Sequence, residues 1–182
     1  MVTLRNHIAG VIMSLYVASI TVDQVIEAVG AFIQPFVGSS VQIIRAQVNR
    51  VAPPSGPFVE LTELFQSDLE YPLSWYDTTY SQGNILGPKR IAVQADFYGP
   101  SSGDWCAVVK SAIRTPWGVA QFPSGIAPLY TDDGHEAPLI TGEEQYLRRW
   151  ALTISLQYNP MVSVPFAVST SGKIETLENV TP

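Results

Sequence analysis

The segment Arg90-Ile-Ala-Val-Gln-Ala-Asp-Phe-Tyr98 alternates between apolar side chains and side chains of mixed character. Because successive side chains of a β-strand point to opposite faces of a sheet, this period of two predicts a strand with one apolar face. The two faces are Ile91, Val93, Ala95 and Phe97 on one side, and Arg90, Gln94, Asp96 and Tyr98 on the other. Gly99-Pro100 ends the strand, since proline lacks the amide hydrogen that a ladder requires.

A second segment, from Arg149 to Tyr158, has the same period. Its apolar face comprises Trp150, Leu152, Ile154, Leu156 and Tyr158. Asn159-Pro160 ends this strand. The remainder is a tail rich in Ser, Thr and Val with little to bury, and we expect residues 166–182 to be an extended C-terminal tail.

Helical spacing appears twice. After Thr21, which forms a capping-box pattern with Gln24, the apolar stripe is Val22, Val25, Ile26, Val29, Phe32, Ile33 and Phe36. Pro35 and Gly38 are stop signals at its far end. A second helix begins at Ser101 or Ser102 and stops before Pro116, with a stripe of Trp105, Val108, Val109, Ala112 and Ile113.

Two strand pairs are expected from local composition. Residues 41–51 are rich in β-branched side chains, and the prolines of residues 52–57 separate them from a strand over residues 58–65, which predicts a hairpin. Residues 126–130 and 137–140 flank Asp133-Gly134, a strong hairpin-turn signal, and are expected to form a β-ribbon.

Residues 66–89 have no sustained period and carry Tyr71, Trp75, Tyr76 and Tyr80 among polar side chains. This composition predicts a long loop or a protruding hairpin. The aromatic rings either pack back on their own domain or form a surface for a partner.

Together these elements predict an α+β domain in which two helices pack on one face of a mainly antiparallel sheet. A chain of 182 residues is long enough for one such domain. We expect an N-terminal arm over residues 1–20, the α+β domain over residues 21–165, and the tail over residues 166–182.

Composition excludes some functions. The net charge of −6 would repel a phosphate backbone, so tight nucleic-acid binding is not expected. The single cysteine, Cys106, excludes an internal disulfide framework and fits a protein that folds in a reducing cytosol.

The apolar stretch within Met1 to Ile20 is too short to span a bilayer, and we expect it to be retained and buried. An accessory protein anchored in a membrane by this segment is an alternative.

Candidate chemistry is limited to one cluster. Asp132, Asp133, His135 and Glu136 could bind a divalent metal, and a small metal-dependent hydrolase is therefore a second alternative. Their spacing around a glycine suits a turn better than a coordination shell. Only His7 and His135 could serve a nucleophile, and Cys106 is expected to be a buried structural thiol. No catalytic, cofactor-binding or metal-binding residue is predicted.

Several stretches, in their order and spacing, resemble the neck and tail terminator proteins of contractile and related phage tails. The resemblance covers about residues 21–165, and Met1 to Ile20 departs from it. The residues that carry it are Val41 to Arg50 leading into Pro54-x-x-Pro57-Phe58, Asp96 to Pro100, Gly125 to Tyr130, Gly142 to Tyr146, Arg149-Trp150, and Gln157 to Pro160.

The resemblance implies a structural virion protein and no enzyme. It implies a ring, typically a hexamer, that caps the tail tube at the neck and docks it to the head-side connector, with the sheath as a further possible partner and DNA only passing through. The protein would be assembled in the host cytoplasm without membrane or cofactor. The candidate interface residues are Trp75, Tyr76, Tyr80, Tyr98, Asp132, Asp133, Arg148 and Arg149; the two arginines could instead be solvated surface residues.

Overall fold

The computed structural model describes residues 17–46, 54–80, 82–137, 139–140 and 146–165. The helices of this part of the chain are α1 (Val22–Val37), α2 (Ser102–Ile113) and α3 (Pro116–Val119). The strands are β1 (Gln42–Arg45), β2 (Phe58–Asp68), β3 (Leu73–Asp77), β4 (Gln82–Leu86), β5 (Lys89–Tyr98), β6 (Ile126–Thr131), β7 (His135–Glu136), β8 (Leu139–Ile140), β9 (Tyr146–Leu147), β10 (Arg149–Tyr158) and β11 (Met161–Pro165). The predicted α+β class is confirmed.

The main sheet has the order β1-β2-β5-β10-β6, and β7 also pairs with β10. β5 lies between β2 and β10 and is antiparallel to both, with Leu61 and Leu152 as the partners of Ala95. This register places the apolar faces of the two predicted strands side by side. Val93, Phe97, Leu152 and Ile154 are fully buried there, in one core with residues of α1 and α2.

α1 begins and ends as its sequence predicts. Thr21 and Gln24 form the capping box, and the buried side chains of the helix belong to the predicted stripe or its last residue. Pro35 lies inside the last turn, and the helix ends at Gly38, whose φ of 89° is readily adopted only by glycine.

α2 differs from prediction on one face. Ser101 is its N-cap but makes no side-chain hydrogen bond there. Val108, predicted in the apolar stripe, is 49% exposed, whereas Cys106 is buried as expected. The helix is rotated so that positions 102, 106, 109 and 113, which are three or four residues apart, face the core.

The predicted hairpin of residues 41–65 is wrong. β1 and β2 pair in parallel, with Gln42 opposite Phe58 and Arg45 opposite Leu61. Parallel neighbours need a connection that returns along the full length of the strand, about a dozen residues or more. The connection over residues 46–57 is long enough for this return, whereas an antiparallel hairpin would need only a tight turn.

The predicted ribbon with a turn at Asp133-Gly134 is also wrong. β6 and β7 do not pair with each other; both pair with β10, with Thr131 opposite Ile154 and His135 opposite Ala151. The edge of β10 offers more hydrogen bonds than a short hairpin, so the segment between β6 and β7 stays along that edge. The hairpin of this region is formed instead by β8 and β9.

A second sheet contains β3, β4 and β11 in the order β11-β4-β3. Of the two predictions for residues 66–89, the hairpin is therefore confirmed and the long loop is wrong. Residues 161–165, at the end of the predicted domain and without a predicted strand, form β11 because they pair with β4 along its whole length. Of the predicted arm, Met1 to Ile20, only residues 17–20 are described, and the predicted tail of residues 166–182 lies outside the described residues.

Candidate functional site

Exposed apolar side chains concentrate on the second sheet and on the end of β2 that leads into it. Within the described residues, the large exposed apolar side chains of this region are Leu64, Phe65, Leu69, Tyr71, Leu73, Trp75, Tyr76, Tyr80 and Ile85. Such a concentration makes this region the candidate contact surface, because monomeric proteins rarely expose large apolar patches.

Both faces of the second sheet carry an aromatic side chain. Trp75 lies opposite Asn84 and Tyr76 opposite Gly83, and these neighbouring strand positions point to opposite faces. Trp75 is 45% exposed and Tyr76 is 38% exposed. A shallow groove of about 340 Å³, lined by residues of all three strands, lies beside them. Neither face is therefore fully covered by the rest of the described chain.

Polar contacts keep the second sheet in a fixed form. Asn84 is buried, and its Oδ1 accepts a hydrogen bond of 2.7 Å from the hydroxyl of Ser163 on β11. At the other end of β3, the carboxylate of Asp77 accepts a hydrogen bond of 2.8 Å from the amide of Thr79. This second contact closes the turn that carries Tyr80, so the aromatic side chains project from an ordered scaffold.

The second sheet is joined to the main sheet at the ends of β2, β5 and β10. The amide of Leu69 donates to the carbonyl of Pro88 at 3.0 Å, and the amide of Gly87 donates to the carbonyl of Pro160 at 3.2 Å. Lys89 forms an ion pair with Asp68 at the same place. The Asp68 carboxylate raises the pKa of the Lys89 ammonium, which stays charged.

The main-sheet face opposite the helices holds a charged cluster. Asp96 is 3% exposed, and both of its carboxylate oxygens accept hydrogen bonds from the guanidinium of Arg149, at 3.0 and 2.9 Å. The amide of Gln94 donates to the same oxygens. Hydrogen bonding to Asp96 raises the pKa of Arg149. A bidentate pair of this kind is strong and directional, so it holds the polar side chains of this face in place through contacts within the chain.

Tyr98 lies beside this pair and is buried. Its ring stacks on Phe58 with a centroid distance of 4.3 Å, and its hydroxyl donates to Glu60 at 3.3 Å. Burial is the main reason that the pKa of Tyr98 is raised to about 12. The hydroxyl is therefore neutral at physiological pH.

In the acidic segment that was considered as an alternative metal site, each carboxylate has a different partner. Asp132 accepts a hydrogen bond of 2.7 Å from the amide of Thr153, Asp133 pairs with Lys110, and Glu136 pairs with Arg148. Lys110 holds the pKa of the Asp133 carboxyl below its usual value. Nowhere in the described part of the chain do three or more His, Cys, Asp or Glu side chains converge as metal ligands.

The side chain of Asp132 replaces a ladder contact. Its carboxylate accepts the hydrogen bond of the Thr153 amide in the interval between β6 and β7, where the ladder with β10 is interrupted. Gly134 follows, and a Cβ at this position would lie 2.4 Å from the sulfur of Cys106. The Asp-Gly sequence thus allows the edge strand to approach α2 closely, which is a packing role.

The candidate interface residues fall into separate groups. Trp75, Tyr76 and Tyr80 share the second sheet, whereas the five others lie on the main sheet and its edge. Arg148 and Arg149 already have carboxylate partners within the chain. Sequence reasoning did not identify Trp117 on α3, which is 55% exposed, because the exposure of this side chain depends on how α3 packs against the rest of the domain. The only local signal is the Thr115-Pro116 helix start.

None of the helices within the described ranges is both long enough and apolar enough to cross a bilayer. The proposed membrane anchor lies mainly in residues that the structure does not describe.

A packed α+β domain that carries an exposed aromatic sheet is typical of proteins that bind other proteins. A family model described as phage neck terminator protein matches residues 23–181, and the chain therefore belongs to the phage neck terminator family. Its role is structural, at the end of the phage tail, and neither alternative function receives support from this family.

The fold is shared with a solved structure. The chain is similar to the sheath/tube terminator of an extracellular contractile injection system, PVC, in its extended state, with a TM-score of 0.50 and 12% sequence identity. The match covers 89% of this chain and 66% of that one, so the chain spans about two thirds of the length of that solved chain. No curated protein gives a significant match to the sequence.

Proposed function

We propose that this neck terminator acts as a closed ring, which we expect to be a hexamer, docked on the last layer of the tail tube. The observation that supports it is the exposed aromatic surface of the second sheet, on a chain of the neck terminator family. Ring closure covers apolar patches and sheet edges that a single subunit leaves exposed. A docked ring also occupies the surface that another tube layer would need.

The proposed partners are other copies of the chain, the tail tube, the head-side connector and, in contractile tails, the sheath. Trp75, Tyr76 and Tyr80 are the proposed anchors, since aromatic side chains held in a fixed position dominate many interfaces. Tyr98, Asp132, Asp133, Arg148 and Arg149 remain weaker candidates. DNA would pass through the ring without tight binding, because the net charge is −6. Assembly would take place in the host cytoplasm.

Assembly of the purified full-length chain tests the ring. Replacing Trp75 or Tyr76 by alanine should weaken assembly, alone or on tail tubes, by about 1–4 kcal/mol. Tyr130→Ala is the matched control, because Tyr130 is an exposed aromatic residue on the main sheet. Equal losses for Tyr130→Ala and Trp75→Ala would contradict a specific role for the second sheet.

Phage that lack the protein test the role in the virion. They should make tails of uncontrolled length or tails that fail to join heads. Normal tails joined to heads in its absence would refute the proposed function.

A further inference from the structure

A closed ring of more than two subunits needs two different surfaces on each subunit, because each copy contacts one neighbour with one surface and the other neighbour with the second. This requirement rests on the proposed ring. The second sheet supplies one surface, so its complement must lie elsewhere on the subunit.

A second exposed surface lies on the outer side of α2 and on α3. Its residues are Val108, Ser111, Arg114, Trp117 and Val119, and we call it the α2–α3 surface. Trp117 is anchored from below, since its ring lies 6.3 Å from Phe32 and 6.1 Å from Phe36 of α1. A half-exposed tryptophan held by other rings loses little conformational freedom on binding, as an interface anchor requires.

Arg114 gives the α2–α3 surface an uncompensated positive charge. Among the described residues, it is the only lysine or arginine without an ion pair, side-chain hydrogen bond or ring contact. The others are Arg45 with Asp23, Lys89 with Asp68, Arg90 with Tyr130 and Phe65, Lys110 with Asp133, Arg148 with Glu136, and Arg149 with Asp96.

The connection between β2 and β3, next to the second sheet, carries a negative charge. Glu70 lies exposed between β2 and β3, next to the exposed Tyr71, and has no ion pair or hydrogen bond with the described residues. An arginine and a carboxylate form a strong bidentate pair when they meet at an interface that excludes water. Arg114 and Glu70 are therefore opposite charges without partners among the described residues, and Trp117 offers a ring to the exposed aromatic side chains near Glu70.

We propose that the α2–α3 surface of one subunit binds the second sheet of the adjacent copy. In this contact Arg114 pairs with Glu70, and Trp117 packs against the aromatic side chains near Glu70. The contact is head to tail. Charge complementarity favours a second copy of this chain as the occupant, because Arg114 and Glu70 are both exposed on the same subunit and neither has a partner among the described residues.

Charge reversal tests the pairing directly. The full-length variants Arg114→Glu and Glu70→Arg are measured by native mass spectrometry and sedimentation velocity over a concentration series. Each variant alone should assemble at least about tenfold more weakly than the unaltered chain, because like charges then face each other. Arg45→Glu is the matched control, since Arg45 is already paired within the subunit.

Mixing separates a lost pair from a damaged fold. In an equimolar mixture, the acidic side chain introduced at position 114 of one variant faces the basic side chain introduced at position 70 of the other. In a ring in which the two variants alternate, every second contact keeps the original pair of Arg114 with Glu70. Assembly should therefore recover in particles with an even number of subunits that contain the two variants in equal amounts. The double variant should also assemble by itself. Circular dichroism of each single variant should match that of the unaltered chain.

The outcomes distinguish this inference from the proposed function. Assembly of the unaltered chain that neither reversal weakens, or weakened assembly that mixing does not restore, would overturn the Arg114–Glu70 contact and leave the ring in place. A chain that stays monomeric with and without tail tubes would overturn both proposals. A chain that binds tail tubes only as a monomer would overturn the contact and the ring.

Discussion

The main sheet and the second sheet are both built from paired β-strands, but they differ in what covers them. One face of the main sheet packs under α1 and α2, and the other is fixed by the Asp96–Arg149 pair. The second sheet exposes aromatic side chains on both faces. We therefore expect the main sheet to determine stability and propose that the second sheet provides the binding surface.

The largest effect should come from the core of the main sheet. Phe97 is fully buried, and Phe97→Ala should lower the free energy of unfolding by about 3–5 kcal/mol through lost burial and a residual cavity. Urea denaturation of the monomer measures it. A loss below about 1 kcal/mol would contradict the assignment of stability to this sheet.

Removing the buried carboxylate should have the next largest effect. Asp96→Ala leaves the Arg149 guanidinium without its partner, at a cost of about 3 kcal/mol. Arg149 keeps some access to solvent, so the loss should fall at the low end for buried pairs. The same denaturation experiment measures it, with Asp68→Ala at an exposed ion pair as the control.

The close approach of β7 to α2 is tested at Gly134. A Cβ there would overlap the sulfur of Cys106, and Gly134→Ala should destabilise the monomer by about 2 kcal/mol. Combining it with Cys106→Ala should recover part of this loss, because the sulfur is gone. Simple additivity of the two changes would show that the sulfur contact is not the cause.

Alkaline pH should also weaken the main domain. Burial raises the pKa of Cys106 from 9.0 to about 11, so the neutral thiol of the folded state is favoured fully below pH 9 and this contribution is lost as the pH rises toward 11. The loss should be about 2–3 kcal/mol. Cys106→Ala should reduce the slope of stability against pH, while Tyr98 continues to contribute up to about pH 12.

The smallest effect on stability is expected at the second sheet. Trp75→Ala should change the free energy of unfolding of the monomer by less than about 0.5 kcal/mol, because the side chain is half exposed. Thermal unfolding at low protein concentration measures it. A loss comparable to that of Phe97→Ala would break the contrast between the two sheets.

The local sequence was sufficient to predict an element wherever the hydrophobic period or the cap depended on that element alone. The alternation around Val93 and Ile154 and the capping box at Thr21 predicted their elements directly. The direction of β1 could not be predicted, because the choice between parallel and antiparallel pairing depends on where the chain returns. Asp133-Gly134 misled because the edge of β10 competed with its turn preference.

The candidate site was predictable in part for the same reason. Trp75, Tyr76 and Tyr80 stand out as aromatic residues in a polar segment without a helical or strand period. Arg114 and Trp117 carry no such signal, since an unpaired charge or an exposed ring is recognised only after every neighbour has been placed.

The position of β10 in the chain has a consequence for folding kinetics. β10 lies between β5 and β6, yet it follows every other strand of the main sheet in sequence. During synthesis, a nascent chain that has not reached residue 149 holds β5 and β6 with open edges and cannot complete its core. High contact order of this kind slows folding toward milliseconds or seconds and exposes the nascent chain to misassembly. Because β11 follows β10, the second sheet is completed only after the ribosome has delivered the strand that closes the main sheet.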